Sequence, residues 1–293
     1  MKRLLLLILL MANFFALLAQ QQEKLQIKYY CTNWGNTDSW ERFCERVKNA
    51  GYDGVEAWLP GDANERKEMT EALRRHGLCL GLLAGGSGSS FEQYRESFKR
   101  NLEEAASMKP DFINCHTGKE YYSFEQNKQL IAIGQVVMDK QHIPVYHETH
   151  RGRFSFAAHL TKEYLTKIPN LRLALDISHW CNVHESLLAD QADAVSLALA
   201  RTEHIHARIG HPEGPQVNDP AAPEWKNTVD QHLSWWDEVV AQHKKNGAKL
   251  LTITTEFGPA GYLPTLPFTQ QPVADQWSVN VYMLNLLKDR YKE

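Results

Sequence analysis

One phrase recurs along this chain: an amphipathic segment, a glycine, then a short run of core-type residues. Ala50-Gly51-Tyr52-Asp53-Gly54 leads into Val55-Glu56-Ala57-Trp58, and His76-Gly77 leads into Leu78-Cys79-Leu80-Gly81-Leu82-Leu83. Asn246-Gly247 leads in the same way into Lys249-Leu250-Leu251-Thr252-Ile253. Glycine at that place suits the left-handed residue that closes a helix. An apolar run without polar alternation suits a strand covered on both faces. Helix, glycine, covered strand, loop, helix is the order of an alternating β/α protein with a parallel sheet.

Strands of this type are expected at residues 26–32, 54–58, 78–83, 112–116, 143–148, 171–176, 204–208 and 250–256. Helical stripes separate them. The first helix opens at Asp38, with Glu41 three residues on in a capping-box-like pattern, and continues through Trp40, Phe43, Cys44 and Val47. Tyr94, Phe98 and Leu102, then Leu130, Ile133, Val136 and Val137, and finally Trp277, Val281, Leu284 and Leu287 form further stripes. These read as core packing. Roughly eight such units in 293 residues are what an α/β (β/α)8 TIM barrel requires. An open, doubly wound sheet is the alternative, but no G-x-G-x-x-G follows the first strand.

Residues 1–19 stand apart. Lys2 and Arg3 precede an apolar run from Leu4 to Ala19, the pattern of a secretory signal. The expectation is an exported, periplasmic or secreted protein whose barrel spans 20–293, with no stable membrane span once the leader is cleaved. Cys31, Cys79 and Cys115 lie in strand-like runs, Cys44 lies on a helix face, and with Cys181 they make an odd number with no C-x-x-C pair. Buried free thiols are expected rather than a disulfide framework. A formal net charge of -3 gives no general attraction for nucleic acid.

In a TIM barrel the carboxyl ends of the strands face the active site. Here those ends are rich in ionisable groups: Glu56, His116, His147 with Glu148, Asp176, His206 and Glu256. Glu148, Asp176, His206 and Glu256 end four successive strands, and their oxygen and imidazole donors suit one divalent metal. By alternation His204 shares a face with His206 and reads as a core histidine, while His147 points away from Glu148. His142, His159, His232 and His243 lie on helices or at their ends and are expected in solvent.

The ordered set Glu148, Asp176 with His179, His206 and Glu256 resembles the strand-end signature of the xylose isomerase-like TIM barrels. That family includes sugar epimerases, hydroxypyruvate isomerase-like and endonuclease IV-like proteins. The resemblance implies that Glu148, Asp176, His206 and Glu256 bind one divalent ion (Mn, Mg, Co or Zn). It further implies a carbohydrate substrate and a sugar isomerase or epimerase activity. Glu148 and Glu256 would move protons next to a carbonyl through an enediolate held by the metal. His179, His116, His150, Arg151, His211, Glu56 and Trp34 are the expected substrate contacts.

The chain departs from the epimerase pattern at two places. No second acid follows Glu148 in Thr149-His150-Arg151-Gly152-Arg153-Phe154, and Pro212 stands where an Arg is usual. A full endonuclease IV-like trinuclear site is also incomplete, since residues 83–86 carry no His. Two other activities stay open: a lyase eliminating an oxygen group from a keto-sugar or keto-glycoside, and a catalytically silent carbohydrate-binding barrel. Arg151 and Arg153 are either solvated loop charges or clamps for an anionic substrate. Trp34, Trp58 and Trp180 either stack on sugar or line the rim. The loop at 210–223, with Gln216, either covers the mouth or is structural. The oligomeric state is left open, a homo-oligomer included.

Overall fold

In the computed structural model, which describes residues 24–292, eight parallel strands close into one ring in chain order. They are β1 (Gln26–Thr32), β2 (Gly54–Trp58), β3 (Cys79–Gly85), β4 (Phe112–His116), β5 (Val145–Glu148), β6 (Leu173–Leu175), β7 (Thr202–Ala207) and β8 (Leu250–Thr255). β8 pairs with β1 from Gln26 against Leu250 to Cys31 against Thr255, which closes the barrel. The leader expected at 1–19 lies outside the described residues.

The principal helices are α1 (Trp40–Ala50), α2 (Ala63–His76), α3 (Phe91–Ser107), α4 (Phe124–Gln141), α5 (Ala158–Lys167), α6 (Ser178–Val183), α7 (Ala192–Leu199), α8 (Lys226–Lys245) and α9 (Gln276–Arg290). Gly51 and Gly77 close α1 and α2 at φ 92° and 60°, as the repeated phrase implies. The start of α1 differs by one residue from expectation. Ser39 is the cap, its side chain accepting from the Arg42 amide, while Asp38 pairs with Arg42 and Arg46.

Outward-facing strand residues such as Val55, Leu82, Ile113, Leu173, Ile205 and Ile253 pack under the helices as one continuous core. Within that core Tyr94, Phe98, Leu102, Leu284 and Leu287 are buried, whereas Val136 turns outward and is 49% exposed. His232 and His243 correct the expectation of solvated helix histidines. Both are buried on the inner face of α8, their Nδ1–H groups donating to Thr228 O and Val239 O four residues back. Burial pushes the His232 pKa down to about 4, so its free Nε2 accepts from the Gly210 amide at 3.2 Å. All five cysteines are unpaired. Among the described residues, no helix is long and apolar enough to cross a membrane.

The ring is filled, not hollow. Tyr30 and Phe112 meet edge to face at 5.1 Å, and Phe112 lies 4.3 Å from the His204 ring. A Cβ on Gly81 would stand 2.4 Å from Phe112 Cζ, so glycine is what lets that ring occupy the barrel. Gly81→Val is expected to destabilise the fold by about 1–3 kcal/mol, the usual cost of overpacking. Urea unfolding measures this, and an unchanged midpoint would show that the space is not contested.

Candidate active site

A polar layer lies directly above the Tyr30–Phe112 plug. Glu56 was expected as a strand-end substrate contact; it stands two residues before the end of β2, one layer deeper, and is buried. Its carboxylate accepts from His206 Nε2 at 3.0 and 3.1 Å, from Thr254 Oγ1, from His204 Nε2 at 3.3 Å and from Asn114 Nδ2 at 3.3 Å. Burial alone would raise the Glu56 pKa; the two histidines overcome it and hold it below the usual carboxylate range. With its Nε2–H given to Glu56, His206 turns Nδ1 upward. Carboxylate–imidazole pairs of this kind fix the tautomer and aim of metal-binding histidines.

Nδ1 of His206 lies 2.9 Å from Glu256 Oε2 and 3.7 Å from Glu148 Oε2. Donor atoms of Glu148, Asp176, His206 and Glu256 all fall within 4.8 Å of one another. The strand ends hold them there by short local bonds. Thr149 Oγ1 donates to Asp176 O at 2.9 Å and lies 2.8 Å from the Asp176 amide, which stitches the end of β5 to the end of β6. Asp176 Oδ1 accepts from the Ser178 amide at 3.1 Å and from Ser178 Oγ at 2.5 Å. Asn114 Nδ2 and His116 Nε2 donate to Glu148 Oε2 at 2.7 and 2.9 Å.

A metal fits this cluster on the evidence of its unused donors. Glu148 Oε1 is buried without a hydrogen-bond partner, and Glu256 Oε2 and His206 Nδ1, also buried, have only each other, as an ion pair at 2.9 Å. Burial opposes a charge on His206, yet Glu256, Glu56 and Glu148 outweigh it and hold its pKa well above the ordinary imidazole value. Burial, with Glu256 and Glu148 adding to it, lifts the Asp176 carboxyl to about 6 against the pull of Arg208. Clustered buried carboxylates without enough positive charge are costly. These groups could hold a divalent ion, and its charge would meet that demand.

Above the cluster opens a cavity of about 160 Å³, lined by Trp34, Trp58, His116, His150, Arg208, Glu256 and Tyr262 among others. His179 is buried behind that lining, its ring 3.9 Å from that of His150 and its Nε2 2.9 Å from Arg208 Nη2. Burial, with His150 and the Arg208 guanidinium packed beside the ring, keeps the His179 pKa well below the usual value. The imidazole is therefore neutral: Nε2 accepts from Arg208, and Nδ1–H is left as a donor without a partner. His150 is likewise driven down to about 3 by burial and by His116.

The structure thus brings Glu148, Asp176, His206, Glu256, His179, His116, His150 and Trp34 to one mouth. It does not bring His211, which pairs with Gly214 and stacks on Trp225 at 4.8 Å, outside the cavity lining. Trp180 is packed inside, its Nε1 donating to Ser155 O at 2.8 Å, so it is no sugar platform. Gln216 is buried and exchanges two hydrogen bonds with the Gly258 backbone, at 2.7 and 3.3 Å, tying the loop after β7 to the loop after β8.

Arg208 is the residue that sequence reasoning overlooked. It is 1% exposed, pairs with Asp176, donates to Ser178 Oγ at 3.2 Å and lies 3.5 Å from Glu256. The signal was present: His204, His206 and Arg208 alternate onto one face.

A model of the xylose isomerase-like TIM barrel matches residues 44–241, the greater part of the chain. The chain belongs to that family. Among solved structures, 3-keto-D-glucoside 4-epimerase from E. coli is 15% identical, covers 90% of this chain and 100% of that one, and superposes with a TM-score of 0.60. D-allulose 3-epimerase from Methylomonas sp. is 16% identical over 91% of this chain and 99% of that one, also at 0.60. An AP endonuclease of family 2 from Brucella melitensis is 13% identical over 92% and 100%, at 0.56. These likenesses establish the shared barrel. No curated protein matches the chain.

Proposed function

We propose that this chain is an exported, divalent-metal-dependent sugar isomerase or epimerase. Membership of the family supports the class of reaction, and the apolar leader-like segment at 1–19 supports export. The observation that carries the reading is the convergence of buried donor atoms of Glu148, Asp176, His206 and Glu256 within 4.8 Å of one another, with Glu148 Oε1 left without a hydrogen bond, beside a cavity of monosaccharide scale.

Glu148, Asp176, His206 and Glu256 would hold the ion, which when bound supplies Lewis acidity to adjacent oxygens of an open-chain sugar. The residues themselves do the proton work. Glu256 lines the cavity and takes a proton from a carbon beside the carbonyl, while Glu148 returns one from the other side of the substrate, or the reverse. Nδ1–H of His179 and the Arg208 guanidinium hydrogen-bond substrate oxygens as charge moves onto them. Trp34, Trp58 and Tyr262 wall the cavity and reduce its access to water. Elimination is the second reading, favoured by that same neutral His179 donor, which can hydrogen-bond a departing oxygen while one of the two glutamates, having taken the proton from carbon, delivers it to that oxygen.

The test is incubation of the metal-loaded protein with a panel of aldo- and keto-sugars in heavy water, followed by NMR and mass spectrometry. Isomerisation places deuterium on carbon and conserves composition; elimination releases a fragment. Sugar binding with no deuterium on carbon would leave a silent carbohydrate-binding barrel and overturn the proposal.

A further inference from the structure

His116, His150 and Arg208 line the cavity, and Arg153, His179 and Arg151 stand directly against the lining residues His116, Arg208 and Tyr262. The rings of His116 and His150 lie 4.5 Å apart, and those of His150 and His179 lie 3.9 Å apart. Arg153 Nη2 is 3.4 Å from His116 Nδ1 at one end, and Arg208 Nη2 is 2.9 Å from His179 Nε2 at the other. The guanidinium carbons of Arg151 and Arg208 stand 4.9 and 4.8 Å from the centre of the Tyr262 ring.

This wall has more donors than acceptors. Arg153 Nε and His179 Nδ1 are buried with no hydrogen-bond partner. Arg208 spends Nε and Nη2 on Ser178, Asp176 and His179, and its Nη1 makes no hydrogen bond among the described residues. Arg151 reaches only Asn182 Oδ1, at 3.4 Å, and Arg153 reaches Gly152 O and His116. Neither has a carboxylate within ion-pair distance among the described residues. Glu120 approaches the Gly152 position between them but pairs with neither. An unmatched charged donor in a partly buried place is unfavourable unless a ligand supplies the acceptor.

We infer that the carbohydrate taken by this cavity carries an anionic group, a carboxylate or a phosphate, received by Arg151, Arg153 and the free edge of Arg208. This rests on the sugar isomerase reading and names the substrate class for it. The acid cluster engages the carbonyl end, and the guanidinium wall engages the charged end. Sugar acids and sugar phosphates share this chemistry: planar guanidinium forks match the oxygens of both.

Calorimetric titration of the full metal-loaded chain tests this with D-glucose, D-glucuronate and D-glucose 6-phosphate, at low and at raised salt. The expected result is ~10-fold or tighter binding of one anionic sugar over the neutral one, as one charge-assisted contact provides. The preference should shrink with salt. The better of the two anions decides between carboxylate and phosphate. In Arg151→Gln, and in Arg151→Gln with Arg153→Gln, the ratio of anionic to neutral sugar affinity should fall toward one. Equal binding of neutral and anionic sugars by the unmodified chain overturns this inference alone and needs no variant. A preference that survives intact in a folded double variant also overturns it. Failure of all three sugars to bind would remove the sugar-isomerase reading and this inference together.

Discussion

Glu148→Gln is expected to lower kcat by ~10³-fold or more, the scale of losing general acid–base catalysis together with a ligand charge. Glu148 is 1% exposed and is the acceptor for both Asn114 Nδ2 and His116 Nε2. The amide keeps the shape but presents one acceptor and a neutral donor in place of the carboxylate. It can neither take a proton from carbon nor balance His206. Glu256→Gln should be as damaging, because Glu256 is the acid that lines the cavity. Steady-state turnover, with thermal melting to show that each variant is folded, makes the measurement. A wild-type rate in either variant would remove that residue from the acid–base pair. Deuterium exchange without net conversion in one variant would identify which carboxylate faces which side of the substrate.

Stripping the metal is the second large effect. Elemental analysis should find about one divalent ion per chain, and chelation should abolish turnover until the ion is restored. Free metal at about one hundred times Kd stabilises a native site by ~2.7 kcal/mol, so Tm should fall by about 5–10 °C on chelation. Glu56→Gln should weaken metal binding by ~10–100-fold, since the carboxylate that orients His206 is lost. The pH dependence has a definite sign. Without the ion His206 is held well above the ordinary imidazole pKa, chiefly by Glu256 once burial is overcome. Metal must therefore displace a proton, and its affinity rises with pH through that range. Full activity of stripped protein in chelator would reject metal-assisted chemistry.

The barrel was legible because its strands are covered on both faces. β1, β2 and β4 match expectation residue for residue, and the closing glycines of α1 and α2 adopt the left-handed conformation that their position implies. Boundaries slipped where tertiary contacts decide them. β6 shrinks to three residues: the Asp176 amide donates to Thr149 Oγ1, its carboxylate accepts from the Ser178 amide, and the chain leads at once into α6.

Depth within the barrel was harder to read than direction. Alternation places Glu56 inside, but only the pairing of β2 out to Trp58, opposite Leu83, puts it beneath the acid cluster. His232 and His243 were assigned to solvent as helix residues. The spacing of Val229, Leu233, Trp236, Val239 and Val240 already marked their shared face as the buried one. Arg208 is masked in the sequence because the family pattern places its arginine four residues on, where this chain has Pro212. A long charged side chain two residues past a ligand reads as solvated until the fold closes around it.

The hydrogen bond from the Gly210 amide to His232 gives the outer ring of helices a hand on the chemistry. Gly210 sits two residues beyond Arg208, so the backbone that aims the guanidinium is tethered to the inward face of α8. Laboratory evolution for altered selectivity should then collect changes along that helix, far from any atom of substrate. Libraries confined to the cavity lining would overlook them.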